Sequence, residues 1–162
     1  MKRILAGVTA LLLLAGSLAL QAAPTEEERI EEVIAAVIEA LRTSDYSAMG
    51  RHYAPEATVV PGDYSPAVSG WSNIEPGFTA SHADFTNLEL LREDTRIVRR
   101  GKVAWASYRW RLAGIRGKQM VQAQGHTTLV LEKRGGHWLI LHNHTSLVPL
   151  RSEAPPAAPP QP

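Results

Sequence analysis

Cysteine is absent from the 162 residues. That excludes a disulfide framework, a thiolate nucleophile, every thiolate metal site and a lipid-modified N-terminal cysteine. Charge of one sign is not in excess either. Seventeen Lys and Arg stand against 16 Asp and Glu, a formal charge of +1, so there is no electrostatic footprint for nucleic acid. No internal repeat is present, and the one long uncharged apolar run lies at the N-terminus. What is there is ordinary: 44% hydrophobic and 20% charged residues exclude disorder for the bulk of the chain and a multi-span membrane protein. The length suits one domain.

Both ends separate from that domain. Met1-Lys2-Arg3 is a short positive start, Ile4 to Leu20 is a Leu- and Ala-rich run, and small residues follow at Ala22-Ala23. This order predicts a signal peptide over residues 1–22, cleaved after Ala22, and a periplasmic or secreted protein with no membrane attachment once cleaved. An exported domain without disulfides stands on its hydrophobic core alone, and about 125 residues suffice for that. At the other end, residues 151–162 are rich in proline and hold no large apolar residue. They predict an extended tail that buries too little surface to offset chain entropy. The domain itself is expected over 23–150.

Within it, Thr25 followed by Glu26, Glu27 and Glu28 reads as a capped helix start. Ile30, Val33, Ile34, Val37, Ile38 and Leu41 then form one apolar stripe at three- and four-residue spacing. Ser44-Asp45 predicts a second helical stretch through Tyr53, and Ala57 to Val60 a short strand. Asp63 to Gly70 reads as loop, and Trp71 to Ala80 as a short helix interrupted near Pro76-Gly77. Four long strands are expected next: Leu88 to Arg99, Lys102 to Leu112, Lys118 to Lys133 and His137 to Leu150, joined by glycine-containing turns. Helices first and an antiparallel meander afterwards indicate an α+β fold.

Several stretches together carry a family likeness. They are Asp45 to Met49, Tyr53-Ala54-Pro55-Glu56-Ala57, Gly70-Trp71-Ser72-Asn73-Ile74, Lys102 to Tyr108, and above all Gly125 to Ser146 with its Gly-x-Trp-x-Ile-x-His-x-His-x-Ser ending. In these residues the chain resembles the SnoaL-like domains of the nuclear-transport-factor-2-like superfamily, including the association domain of calcium/calmodulin-dependent protein kinase II. The resemblance implies a conical fold in which a curved antiparallel sheet wraps a long helix around a cavity, and it implies frequent dimers. It implies no single function, because that superfamily hosts isomerases, cyclases, dehydratases and hub domains.

Strict alternation from His137 places Trp138, Ile140, His142 and His144 on one strand face, which the resemblance assigns to the cavity. A two-residue Gly135-Gly136 loop would pair Thr127 with His144. A three-residue loop would pair His126 with His144 and Thr128 with His142; this second register is preferred here, since the resemblance implies a polar residue at His126. Three imidazoles on one wall admit a metal site, a general base, or polar wall residues held by hydrogen bonds. The last is favoured, no metal is assigned, and no cofactor is expected. Tyr53, Trp71, Tyr108 and Trp110 complete the expected pocket of Tyr53, Trp71, Tyr108, Trp110, His126, Thr128, His142 and His144. Asp63 and Asp84 are explained by turn formation. The first helix presents no inward Tyr, so isomerase chemistry built on buried carboxylates and a tyrosine is not expected.

The expected function is a cavity for a small, mostly apolar molecule, in a binding module without assigned catalysis. One alternative is a SnoaL-like enzyme, a cyclase, isomerase or hydrolase, with a pocket histidine as base. A second is an oligomerising interaction domain. A homodimer through the outer sheet face is expected, with Leu129, Leu131, Leu139 and Leu141 on that face.

Overall fold

The computed structural model describes residues 23–150; the expected signal peptide and proline-rich tail lie outside the described residues. Helix α1 (Glu26–Arg42) is followed by α2 (Tyr46–Gly50), β1 (Tyr53–Val60), β2 (Val68–Ser69), α3 (Trp71–His82), β3 (Phe85–Arg100), β4 (Val103–Arg116), β5 (Gln119–Arg134) and β6 (His137–Leu147). The α1 start is built as its sequence suggests. The Thr25 side chain accepts from the Glu28 amide, and Glu28 reaches back to the Thr25 amide, so two otherwise orphaned donors are satisfied. Its stripe buries Ile30, Ile34 and Val37.

All six strands form one sheet in the order β2-β1-β6-β5-β4-β3. Strands β3 to β6 are the antiparallel meander. Strand β1 adds to β6 in parallel and β2 pairs with β1, so the sheet is mixed. Three local expectations are corrected. Strand β1 begins at Tyr53 rather than Ala57, because Tyr53 and Ala54 are both buried in the core. Val68–Ser69, expected in a loop, pairs with β1. Helix α3 runs unbroken through Pro76 to His82, past the expected end at Ala80.

The core lies between α1 and the concave sheet face. Ala104 and Ala106 on β4 are fully buried, and their small size lets the helix approach the sheet. Leu129 and Leu131 are also core residues, 1% and 0% exposed. The expectation that they face outward is therefore overturned: the inward residues of β5 are Thr127, Leu129 and Leu131, in step with Tyr108, Ala106 and Ala104 across the ladder. Ion pairs fasten α1 to the sheet from outside. Arg92 on β3 holds Glu31, Arg99 holds Glu27, and Lys133 holds Glu26. Glu26 also accepts from the Trp138 indole at 2.9 Å.

Candidate functional site

The β5–β6 connection decides which side chains reach the interior. Gly135 and Gly136 have φ of 56° and 89°, the left-handed pair that a two-residue hairpin turn requires. Arg134 accordingly pairs with His137 and Lys133 with Trp138. The three-residue loop preferred from sequence is not formed. Further along, consecutive residues Val130 and Leu131 face His142 and Ile140, so Leu141 is an extra residue, a β-bulge. The β1 side is irregular at the same place, where Tyr53 pairs with Ile140 but Thr58 pairs with His142. One unpaired residue inverts the alternation that follows it. Trp138 and Ile140 point inward, and so do Asn143 and Thr145, whereas His142 and His144 turn to the outer face.

The expected site residues therefore divide. Tyr53, Tyr108 and Trp110 line a cavity of about 180 Å³ that opens to the surface on one side. Trp71 stands behind that wall, its ring 4.9 Å from Tyr53 and 6.4 Å from Phe78. His126, Thr128, His142 and His144 are not brought together there. His126 is exposed opposite Arg109 and Ser146, and Thr128 pairs with His144 on the outer face. The His142 and His144 rings lie 6.5 Å apart, with His126 two positions further along the ladder. Among the described residues no group of three His, Asp or Glu is placed to hold a metal ion.

The cavity is bounded by Val37, Ile38 and Leu41 of α1, by Met49, and by the sheet. Its polar content is a row across three strands. Asn143 Nδ2 donates to the Tyr53 hydroxyl at 2.9 Å, Thr145 Oγ1 donates to Asn143 Oδ1 at 3.3 Å, and the hydroxyls of Thr127 and Thr145 are 3.0 Å apart. Asn143 and Thr127 are 7% and 4% exposed, so these bonds satisfy groups that water does not reach. Burial pushes the Tyr53 phenol well above its usual range, an effect that the Asn143 bond only partly offsets. Burial likewise pushes Tyr108 up to about 12, against the lowering effects of Thr127 and Arg92. Both phenols are neutral at any ordinary pH. The Arg92 guanidinium lies 5.8 Å above the Tyr108 ring, while Glu31 holds it.

One histidine does reach this space, and it was missed from sequence. His82 ends α3 and lines both the inner cavity and an adjoining cleft of about 400 Å³. Phe78, Asn143 and Thr145 are shared by the two spaces as well. The His82 Nδ1 lies 3.0 Å from the Phe78 carbonyl oxygen. The Ser81 hydroxyl lies 2.9 Å from the same nitrogen and donates to the same carbonyl. A carbonyl only accepts, so with the Ser81 proton spent there Nδ1 carries the ring proton and Nε2 the lone pair. Partial burial holds the His82 pKa below its usual value, with nearby Arg116 acting in the same direction and the Phe78 bond against it. The missing signal was length: two more residues of α3 bring His82 onto the face that carries Phe78, one helical turn earlier.

The arrangement so far is a cone with a small apolar cavity and a buried polar row. The model of the SnoaL-like domain family matches residues 30–151. The chain belongs to the SnoaL-like domain family. Solved structures give the same answer for the fold. A nuclear transport factor 2-like superfamily protein from Salmonella enterica serovar Typhimurium superposes with a TM-score of 0.70 at 20% identity, covering 78% of this chain and 94% of that one. A protein from Xanthomonas campestris, named for the calcium/calmodulin dependent protein kinase II association domain, gives 0.67 at 20% identity over 78% and 90%. One from Streptomyces avermitilis, named as a dehydratase of the same superfamily, gives 0.68 at 15% identity over 75% and 95%. At such identities the likeness establishes the fold alone. No curated protein matches the chain.

Proposed function

We propose that this SnoaL-like domain binds a small, mostly apolar molecule in the cavity between α1 and the sheet. The supporting observation is the make-up of the wall. Aliphatic α1 residues and aromatic Tyr53, Phe78, Tyr108 and Trp110 surround one polar row and His82, the usual composition of a small-molecule site. A co-purified molecule seen by native mass spectrometry, or a rise in thermal midpoint with apolar aromatic probes, tests the reading. Absence of both across a broad neutral library would overturn it in favour of a domain that only makes protein interactions.

The enzyme reading has one observation in its favour. His82 lines both the cavity and the cleft, so it would be the base in place of His142 or His144. Histidine titrates near neutrality and suits proton abstraction. Turnover of a carbonyl substrate that falls about a hundredfold or more in His82→Gln, with binding retained, would favour the enzyme. Unchanged binding with no turnover in either protein favours the binding module.

We also propose export and a homodimer. The Lys2-Arg3 start and the apolar run after it support cleavage near Ala23, which N-terminal sequencing of the periplasmic or secreted fraction checks. The outer sheet face carries Trp105 and Val103, 42% and 43% exposed, and cross-strand pairing sets Trp105 beside Val130 and that residue beside His142. Apolar groups on this face are better buried against a second copy than left in water. Light scattering is expected to read two chains for the wild type and one for Trp105→Lys. A wild-type monomer at micromolar concentration contradicts the dimer.

A further inference from the structure

Resting on the dimer reading, we infer that the second copy seats on the middle of the outer sheet face, with His142 and His144 inside the contact as neutral imidazoles. The chains thus pair at neutral pH and separate as these histidines take up protons. The placement follows from the sheet order. Strands β6 and β5 are its two central members, and His142 stands midway along β6. An isologous contact centred there brings these residues next to their own copies across the two-fold axis. Cross-strand pairing extends two rows from them over the outer face. One runs His142, Val130, Trp105, Val98, and the next His144, Thr128, Ser107, Arg96. Only the last of these, on the edge strand β3, carries a fixed charge. The others are apolar, or are hydroxyls and neutral imidazoles that both donate and accept. Such a face is its own complement, so the occupant it fits is a second copy of this chain.

The charge state follows from what surrounds the rings. Among the described residues, only the His82 ring makes hydrogen bonds, so His142 and His144 have no acidic partner. The acids beside them are already engaged. Glu132 on β5 and Glu56 on β1 hold Arg134. Glu93 holds Arg109 and Arg111 of β4, and Asp94 holds Arg109 as well. The remaining neighbours on this face add positive charge: His126 lies opposite Arg109, Arg96 and Arg100 stand on β3, and His137 begins β6. Strand β2 holds no titratable group, and Asp63 beyond β1 lines the cleft on the other side. Protonated rings buried here would lose hydration without a counter-charge and would meet like charge across the axis. Neutral rings donate from one nitrogen and accept at the other, so ring can bond to ring.

Association is therefore full above the ordinary histidine value and is lost as pH falls below it. With that value near 6.5, each ring that must stay neutral weakens pairing about tenfold between pH 7.5 and 5.5. One such ring per chain raises the dimer dissociation constant about a hundredfold, and two raise it about ten-thousandfold. Sedimentation equilibrium of the whole mature chain at the two pH values, at equal ionic strength and with EDTA, measures this ratio. Tryptophan fluorescence checks folding at both. The wild type should show a ratio of about a hundredfold or more. The double variant His142→Gln, His144→Gln keeps donors and acceptors without a titratable charge, and should bring the ratio below about tenfold. Should that variant not dimerise at pH 7.5, the wild-type ratio decides alone. A wild-type ratio below about tenfold, or one that survives in the double variant, overturns this inference while the dimer stands. So does a dimer that forms at pH 7.5 only without EDTA, since a metal ion then holds the rings. Loss of the fold at pH 5.5 overturns it too, because the protons then act elsewhere. A monomer at both pH values overturns the dimer reading with it.

Discussion

Asn143 is the side chain on which the buried polar row turns, and truncating it to alanine has a calculable cost. It is 7% exposed and donates to the Tyr53 hydroxyl at 2.9 Å. Asn143→Ala removes that donor and leaves the phenol oxygen buried without it, a loss of about 1–3 kcal/mol. For a domain of this size each kcal/mol lowers the thermal midpoint by about 4 °C, so a fall of about 4–12 °C is expected. Tyr53→Phe alone costs a similar amount, because it strands the Asn143 amide. The double variant carries no stranded partner across this bond, so its loss should fall short of the summed single losses by about 0.5–3 kcal/mol. Urea unfolding followed by tryptophan fluorescence measures all three, with an unchanged denaturant slope confirming that only stability moved. Additivity within about 0.5 kcal/mol would refute the reasoning, since it would mean the two groups are not partners.

Gly125→Ala should unfold the domain or cost about 1–3 kcal/mol, because a Cβ there meets the Trp110 ring at 2.6 Å and the Ser146 carbonyl. Gly101→Ala, with open space but φ of 61°, should cost only about 1–2 kcal/mol; urea midpoints rank the two, and the reverse order would contradict the packing. Binding of a hydroxyl-bearing probe to His82 should be constant above pH 6.5 and weaken as pH falls through the lowered His82 pKa, because protonated Nε2 no longer accepts. Titrations across that range check it, and His82→Gln should flatten the profile. Lys133 first, with Trp138, holds the Glu26 carboxyl below its ordinary 4.5. Its contribution to stability is thus present above pH 4.5 and lost as pH falls through the lowered value; Glu26→Gln should remove that part of the acid sensitivity in Trp138-monitored unfolding.

How much of this was legible in sequence varies with the physics that decides each part. Helix α1 was readable because local signals agree: a reciprocal cap at Thr25 and Glu28, and apolar residues at helical spacing. The β3–β6 meander was readable because its turns are marked by glycine. The parallel β1–β6 pairing was not, since it joins segments some 80 residues apart through the sheet order and leaves no local pattern. Tyr108 and Trp110 were readable as wall residues because large aromatics beside the small Ala104 and Ala106 on one face of β4 need an interior. His82 was lost for the opposite reason. Pro76 and Gly77 argue against a helix, and tertiary packing of Ile74 and Phe78 carries α3 past them.

The histidines of β6 show where pattern reading stops. Trp138, Ile140, His142 and His144 alternate faultlessly, and the inward position of Trp138 is correct. The inference to His142 and His144 required every residue between to be paired, and Leu141 is not. Nothing in Leu139-Ile140-Leu141 marks a bulge, since both strand faces there are apolar and either assignment satisfies hydrophobic burial. The partner strands hold the deciding information. With the two-residue turn, Leu131 meets Ile140 in either case, but an unbulged β6 would set His142 beside buried Leu129. The bulge sets Asn143 there instead, within reach of the Tyr53 hydroxyl, and lets Thr145 meet Thr127. An amide that completes a buried network replaces an imidazole that would have needed new partners in the core. The bulge is thus the feature that gives the cavity its amide and hydroxyl row and leaves His82 as its imidazole.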